Sequence, residues 1–222
     1  MTGKINHSSI FFDFDGTLID SISILFNVYL NYLKIFDIAG TRTEFDELNG
    51  PSLTEIVSIL KERYNLKQSQ TELMELYKTK ISEQYIKDIK PFNDAKDTLN
   101  QLKSSGKNLY IVTSNEEKTV LNFINNEGWT GYFSGYVFGS EVQRAKPHSD
   151  IYLEAIKKFS IDTKDVVVVE DSINGIISAK GAGLFVIGVT HNSSSDELLS
   201  VGADKTVNNL SEIPDIIIYR HN

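Results

Sequence analysis

Four short apolar runs recur along the chain with helical stretches between them: SIFFDF at residues 9–14, LYIVT at 109–113, VVVV at 166–169 and FVIGV at 185–189. Runs of this length, rich in β-branched and aromatic residues, mark strands buried on both faces. Between them, residues 94–105 place Ala95, Leu99 and Leu102 on one helical face and stop at Gly106, and residues 120–127 carry Leu121 and Ile124 and stop at Gly128. This alternation predicts an α/β fold with a doubly wound parallel sheet and crossover helices on both faces. In such sheets ligand sites lie at the carboxyl ends of the strands.

The pattern changes between the first run and Pro91, where about 70 residues pass with helical periodicity and no buried strand. One face carries Ile22, Leu25, Phe26, Tyr29, Leu33 and Phe36; a second Leu53, Ile56, Val57 and Leu60; a third Leu73, Leu76, Tyr77, Ile81 and Ile89. The reading is a core formed by residues 1–19 and 90–222, interrupted by an all-helical cap at residues 20–89 with hinges near 18–20 and 90–91. A chain of 222 residues has room for a core with an insertion but not for two large independent domains.

Polar clusters follow three of the runs: Asp13 and Asp15, then Thr113, Ser114 and Asn115, then Glu170, Asp171 and Ser172, with Lys146-Pro147 in a loop. The strand-end rule gathers these groups on one edge. Four carboxylates in one cleft repel unless a cation compensates them, and an all-oxygen ligand set favours Mg²⁺, which binds few carboxylates and completes its shell with water and substrate phosphate. A carboxylate beside a metal-held phosphate is placed to attack phosphorus, and a second carboxylic acid to protonate the leaving oxygen and then activate water. Asp13 and Asp15 fit these two tasks. Lys146 offers fixed positive charge, and Thr113 with the following amides offers donors.

Composition removes other classes. Lys and Arg number 22 against 30 Asp and Glu, a net charge of −8 that repels a nucleic acid polymer. The absence of cysteine excludes disulfides, thiolate nucleophiles and Cys-ligated metals, so any metal is held by oxygen or imidazole. Residues 1–9 are polar and no apolar run nears the ~20 residues that cross a bilayer, which predicts a cytoplasmic protein with no membrane role. With no apolar stripe or heptad left over, a monomer is expected.

In order and spacing these motifs resemble the haloacid dehalogenase superfamily of phosphotransferases. Asp13-Phe14-Asp15-Gly16-Thr17-Leu18 is similar to its first motif, Thr113 to its second, Lys146-Pro147 to its third, and Glu170-Asp171-Ser172 with Gly175 to its fourth. The resemblance spans nearly the whole chain. It implies a magnesium-dependent phosphatase acting on a small phosphorylated metabolite. Asp13 is then the nucleophile, Asp15 the acid/base and a metal ligand through its carbonyl, Asp171 the direct carboxylate ligand, and Glu170 its water-mediated neighbour. Lys146 joins Asp13 and Asp15 as catalytic, Gly16, Thr17, Thr113, Ser114, Asn115 and Lys146 hold phosphate, and Asp13, Asp15, Glu170 and Asp171 form the metal set. The helical insertion is similar to the mobile cap of the phosphoglycolate phosphatase and β-phosphoglucomutase branch.

Two alternatives share these residues. A phosphomutase needs cations in the cap for a second phosphate, and by resemblance mutases place a lysine and an arginine where Asn49 and Leu53 stand and a histidine where Leu25 stands. The segment 49–54 has no cation, which points to a substrate with one phosphate and an uncharged remainder. A non-catalytic phosphate-binding protein would leave the filled set of acids unexplained. Asp15 counts against dehalogenase chemistry, and dinucleotide and P-loop sites fail for want of their glycine motifs. Around the third motif, Arg144 is a surface candidate, His148 a local hydrogen-bonding residue and Ser149 a helix cap.

Overall fold

A computed structural model describes residues 7–48 and 51–217, with the helical backbone alone for 84–88. Asn49 and Gly50, part of the cation-free segment, lie outside the described residues. The strands are β1 (Ser9–Phe12), β2 (Asn108–Thr113), β3 (Phe133–Phe138), β4 (Val166–Glu170), β5 (Phe185–Val189) and β6 (Lys205–Val207). They form one sheet in the order β3-β2-β1-β4-β5-β6 with every pairing parallel. The four apolar runs supply its centre, and β3 and β6, which the periodicity does not reveal, are its edges.

The helices are α1 (Ile22–Lys34), α2 (Arg42–Glu47), α3 (Leu53–Arg63), α4 (Gln70–Asp88), α5 (Ala95–Ser104), α6 (Glu117–Asn126), α7 (Asp150–Phe159), α8 (Ile173–Gly181), α9 (Ser195–Ser200) and α10 (Ile213–Ile217). The period-2 alternation of β1 divides the core. Ile10 and Phe12 join a cluster with Leu99, Leu102, Ile124 and Trp129 on one face, whereas Phe11 joins Tyr152, Ala155, Ile176 and Ala179 on the other. Both faces are thus covered by helices.

Helices α1 to α4 interrupt the core after β1 and bury a cluster of their own, including Val28, Tyr29, Leu33, Phe45, Val57, Leu60 and Leu73. Helix α3 begins at a capping box, in which Ser52 Oγ accepts from Glu55 N and the Glu55 carboxylate accepts from Ser52 N. The two chain crossings into this helical layer lie side by side. Asp20 N donates to Lys90 O at 2.9 Å, Phe92 N donates to Leu18 O at 3.1 Å, and Ile19 bridges Pro91. No helix among the described residues is long and apolar enough to cross a membrane.

Sheet order sets where a site can form. Successive connections run outward from β1 in opposite directions, to β2-β3 on one side and β4-β5-β6 on the other, so the carboxyl ends of β1, β2 and β4 flank the topological switch point. Phe12 pairs with Ile111 and with Val169. Asp13, Thr113 and Glu170 therefore reach the same edge.

Candidate active site

Asp13 follows β1 directly, and its amide is tied to Val169 O at 3.0 Å, so the backbone of β4 fixes where its carboxylate emerges. Its Oδ1 lies 2.5 Å from Lys146 Nζ, and both residues are buried. The Lys146 ammonium also bonds Glu170 Oε1 and lies over the ring of Tyr152 at 5.3 Å. Burial works against the ammonium, but Asp13 and Glu170 hold it well above the usual lysine value. Burial pushes the Asp13 carboxyl well above the carboxylate range, with the Lys146 charge opposing and Glu170 and Asp171 adding to the rise.

Asp171 stands beside this pair. Thr17 Oγ1 donates to its Oδ1 at 2.8 Å and Asn192 Nδ2 donates to its Oδ2 at 3.0 Å. Burial, reinforced by the Glu170 charge, pushes its carboxyl up to about 7 despite these donors. Asp13, Glu170 and Asp171 each offer a carboxylate oxygen within 4.8 Å of the others, and all three are buried. One ammonium stands against three carboxylates.

The supports of these carboxylates are specific. Gly16 has φ +80°, and a Cβ there would sit 2.3 Å from Asp171 Oδ2, so the turn requires glycine on both counts. Glu170 accepts at Oε1 from Tyr152 OH at 3.0 Å and at Oε2 from Ser172 Oγ at 3.1 Å and from the amides of Asp171 and Ser172. A Cβ on Gly175 would fall 1.9 Å from Glu170 Oε1, so only glycine lets α8 pass this close. Ser172 caps α8 by accepting from Gly175 N.

Asp15 is oriented from β2: Asn115 Nδ2 donates to its Oδ2 at 2.7 Å. The Asn115 amide in turn donates to Thr113 Oγ1 at 3.0 Å, folding the Thr113-Ser114-Asn115 turn toward Asp15. A cavity of about 640 Å³ opens over these groups, with Asp13, Asp15, Thr113, Ser114, Asn115 and Lys146 in its floor and helices of the insertion in its other wall. Gly16 and Thr17 pack against Asp171 instead. The two layers also meet directly: Lys78 Nζ pairs with Glu116 at 3.0 Å, and Ala145 N donates to Glu55 Oε1 at 3.4 Å.

Around the third motif, Arg144 forms an exposed fork with Asp150, at 2.7 and 3.0 Å. The His148 carbonyl accepts from Ser178 Oγ at 2.6 Å. Ser149 occupies the N-cap position of α7 but makes no side-chain cap bond, in contrast to the cap expected of it. The sequence also gives no hint of Tyr152, Asn192 or His191. Tyr152 reads as one more apolar position of α7. Asn192 and His191, whose Nδ1 donates to Gly16 O at 3.0 Å, follow β5, where the strand-end rule applies equally.

Comparison with known proteins bears on family and fold. Residues 10–189 match the haloacid dehalogenase-like hydrolase family. A bifunctional riboflavin kinase/FMN phosphatase from Arabidopsis thaliana is 30% identical over 93% of the chain, which spans 54% of that protein's length. A phosphorylated carbohydrates phosphatase from Thermotoga maritima is 28% identical over 88% of the chain and 91% of its own length. Among solved structures, a hydrolase from Pseudomonas syringae superposes with a TM-score of 0.83 at 21% identity, covering 95% of this chain and 97% of that one, a likeness of fold.

Proposed function

Because the chain belongs to the haloacid dehalogenase-like hydrolase family, we propose that it is a magnesium-dependent phosphatase that hydrolyses a small phosphomonoester through an aspartyl-phosphate intermediate. The carrying observation is the placement of Asp13: a buried carboxylate at the switch point, bonded to Lys146 and opening into the cavity between the layers. Relatives named as phosphatases support the phosphoric monoester hydrolase class.

The donor set fits a divalent cation. Three buried carboxylates around one ammonium carry uncompensated negative charge, which adds to burial in raising the Asp13 and Asp171 carboxyls. Asp13, the Asp15 carbonyl and Asp171 would hold magnesium, with Glu170 behind them; when bound, magnesium supplies positive charge for the phosphoryl oxygens.

The chain's own groups account for two half-reactions. The Asp13 carboxylate attacks phosphorus, the bond from phosphorus to the ester oxygen breaks, and the Asp15 carboxylic acid gives its proton to that leaving oxygen. Asp15, now a carboxylate, takes a proton from water, whose oxygen attacks phosphorus, and the Asp13–phosphorus bond breaks to release phosphate. Asn115 keeps Asp15 in reach for both transfers. Lys146, with Thr113 and the turn after it, holds the phosphoryl group. The helical layer of residues 20–89 acts as a cap that excludes bulk water.

Phosphate release from FMN, sugar phosphates, phosphoglycolate, nucleotides and pyrophosphate, with magnesium and with excess chelator, tests the reading. Release that needs both magnesium and Asp13 supports it. Turnover retained by Asp13→Asn sinks the nucleophile assignment.

A further inference from the structure

The wall of the cavity opposite Asp13 has a composition that constrains what it receives. Leu25, Phe45, Leu53, Ile56, Tyr77 and Ile81 present apolar surface there, and among the described residues no arginine lines the cavity. The lysine on that wall, Lys78, is paired with Glu116; of the cavity's other two lysines, Lys146 is engaged by Asp13 and Glu170, and Lys118 belongs to α6 of the core layer rather than to this wall. Both serine hydroxyls of the wall are used locally as well: Ser52 Oγ bonds Glu55, and Ser82 Oγ donates to Thr79 O. A second phosphate or a carboxylate brought against this wall would lose its water without gaining a charged partner. The volume of about 640 Å³ falls in the ~300–1,000 Å³ range of pockets that enclose drug-sized ligands, far more than pyrophosphate or phosphoglycolate fills.

We infer that the substrate is the phosphomonoester of a bulky, uncharged alcohol carrying an apolar ring or chain, its phosphate at Asp13 and its apolar part against Leu25, Leu53 and Ile56. The inference deepens the phosphatase reading and rests on it for the position of the phosphate.

The test compares esters of primary alcohols, whose leaving oxygens are chemically alike: 2-phenylethyl phosphate against glycerol 1-phosphate, with pyrophosphate as the doubly charged member. The expected kcat/KM is at least tenfold higher for the phenylethyl ester. Calorimetry on the magnesium-loaded protein supplies a readout that needs no turnover. There 2-phenylethylphosphonate is expected to bind at least tenfold more tightly than methylphosphonate, and Leu53→Lys and Ile56→Lys, checked for folding by circular dichroism, to shrink that ratio below threefold. Equal or better turnover of the polar esters, equal binding of the two phosphonates, or a ratio untouched by both lysines overturns the inference. A binding preference without release from any ester supports the substrate class while sinking the phosphatase reading, so the two failures are distinct.

Discussion

Asn115 Nδ2 donates to Asp15 Oδ2 at 2.7 Å, joining the turn after β2 to the turn after β1 across the sheet's switch point. The bond sets the direction of the group to which we assign proton transfer, and a displacement of ~1 Å in such a group costs about 10²-fold in rate. Asn115→Ala is therefore expected to lower kcat by about 10- to 100-fold with a smaller change in KM. Steady-state kinetics on one well-behaved ester checks this, and a change confined to KM would assign Asn115 to ground-state binding instead.

Lys146 neutralises part of a buried acidic site, so its removal should be felt twice. Lys146→Met leaves Asp13 and Glu170 without their shared cation, and an unpaired buried charge costs about 3–5 kcal/mol. Loss of a charge that stabilises transferring phosphoryl costs about 10²–10³-fold in rate. Urea unfolding and phosphate release measure the two effects separately. Lys146→Arg should restore little of either, because a planar guanidinium does not fit a cavity shaped around a compact ammonium.

Gly175 offers a purely steric test. Alanine there puts a methyl 1.9 Å from Glu170 Oε1, so either α8 or the carboxylate must move. Gly175→Ala should cost about 1–3 kcal/mol of stability, as overpacking does, and activity should fall because Glu170 anchors Lys146. Wild-type unfolding and wild-type turnover in this variant would show that the site tolerates a displaced Glu170.

Much of this site was legible from the chain, and the exceptions share a cause. The central strands announce themselves because both of their faces are buried, so Val166 to Val169 read as an unbroken apolar run. Edge strands lack that pressure. β3 carries exposed Ser134 and also Gly135, whose missing side chain admits the ring of Phe159, and β6 is three residues long. Acidic strand ends stand out as clustered like charges that require compensation. Tyr152 and Asn192 do not, because each is one polar atom in an ordinary setting and gains its role only when α7 and the loop after β5 are folded against Glu170 and Asp171.

Acid should weaken the helical insertion through Glu44. This buried residue accepts from Tyr29 OH, from Tyr64 OH at 2.6 Å and from Arg63 at 2.8 Å. Burial alone would raise its carboxyl, but the three donors hold it below the usual glutamate value. A depressed folded pKa contributes stability that is complete above the ordinary glutamate value of about 4.3 and is lost as pH falls through the lowered one. The opening free energy of α1 and α3, read from hydrogen exchange corrected for the intrinsic amide rate at each pH, should therefore fall below about pH 4.3 in the wild type. In Glu44→Gln these helices should be weaker at neutral pH and this acid-dependent step absent; an unchanged acid profile would assign the titration to another group.

Magnesium should stabilise the fold independently of catalysis. A ligand at 100 times its Kd adds about 2.7 kcal/mol to stability, and each kcal/mol raises the melting temperature of a domain of this size by about 2–4 °C. Saturating magnesium is thus expected to raise Tm by about 5–10 °C. The effect should exceed that of equal ionic strength of sodium chloride, because it draws on buried carboxylates that bulk salt screens weakly. In Asp171→Asn one of those carboxylates becomes a neutral amide, so the magnesium-specific shift should shrink to that of sodium chloride even if the apoprotein becomes more stable for the loss of buried charge. Differential scanning calorimetry reads both changes, and a full shift in the variant would move the metal away from Asp171.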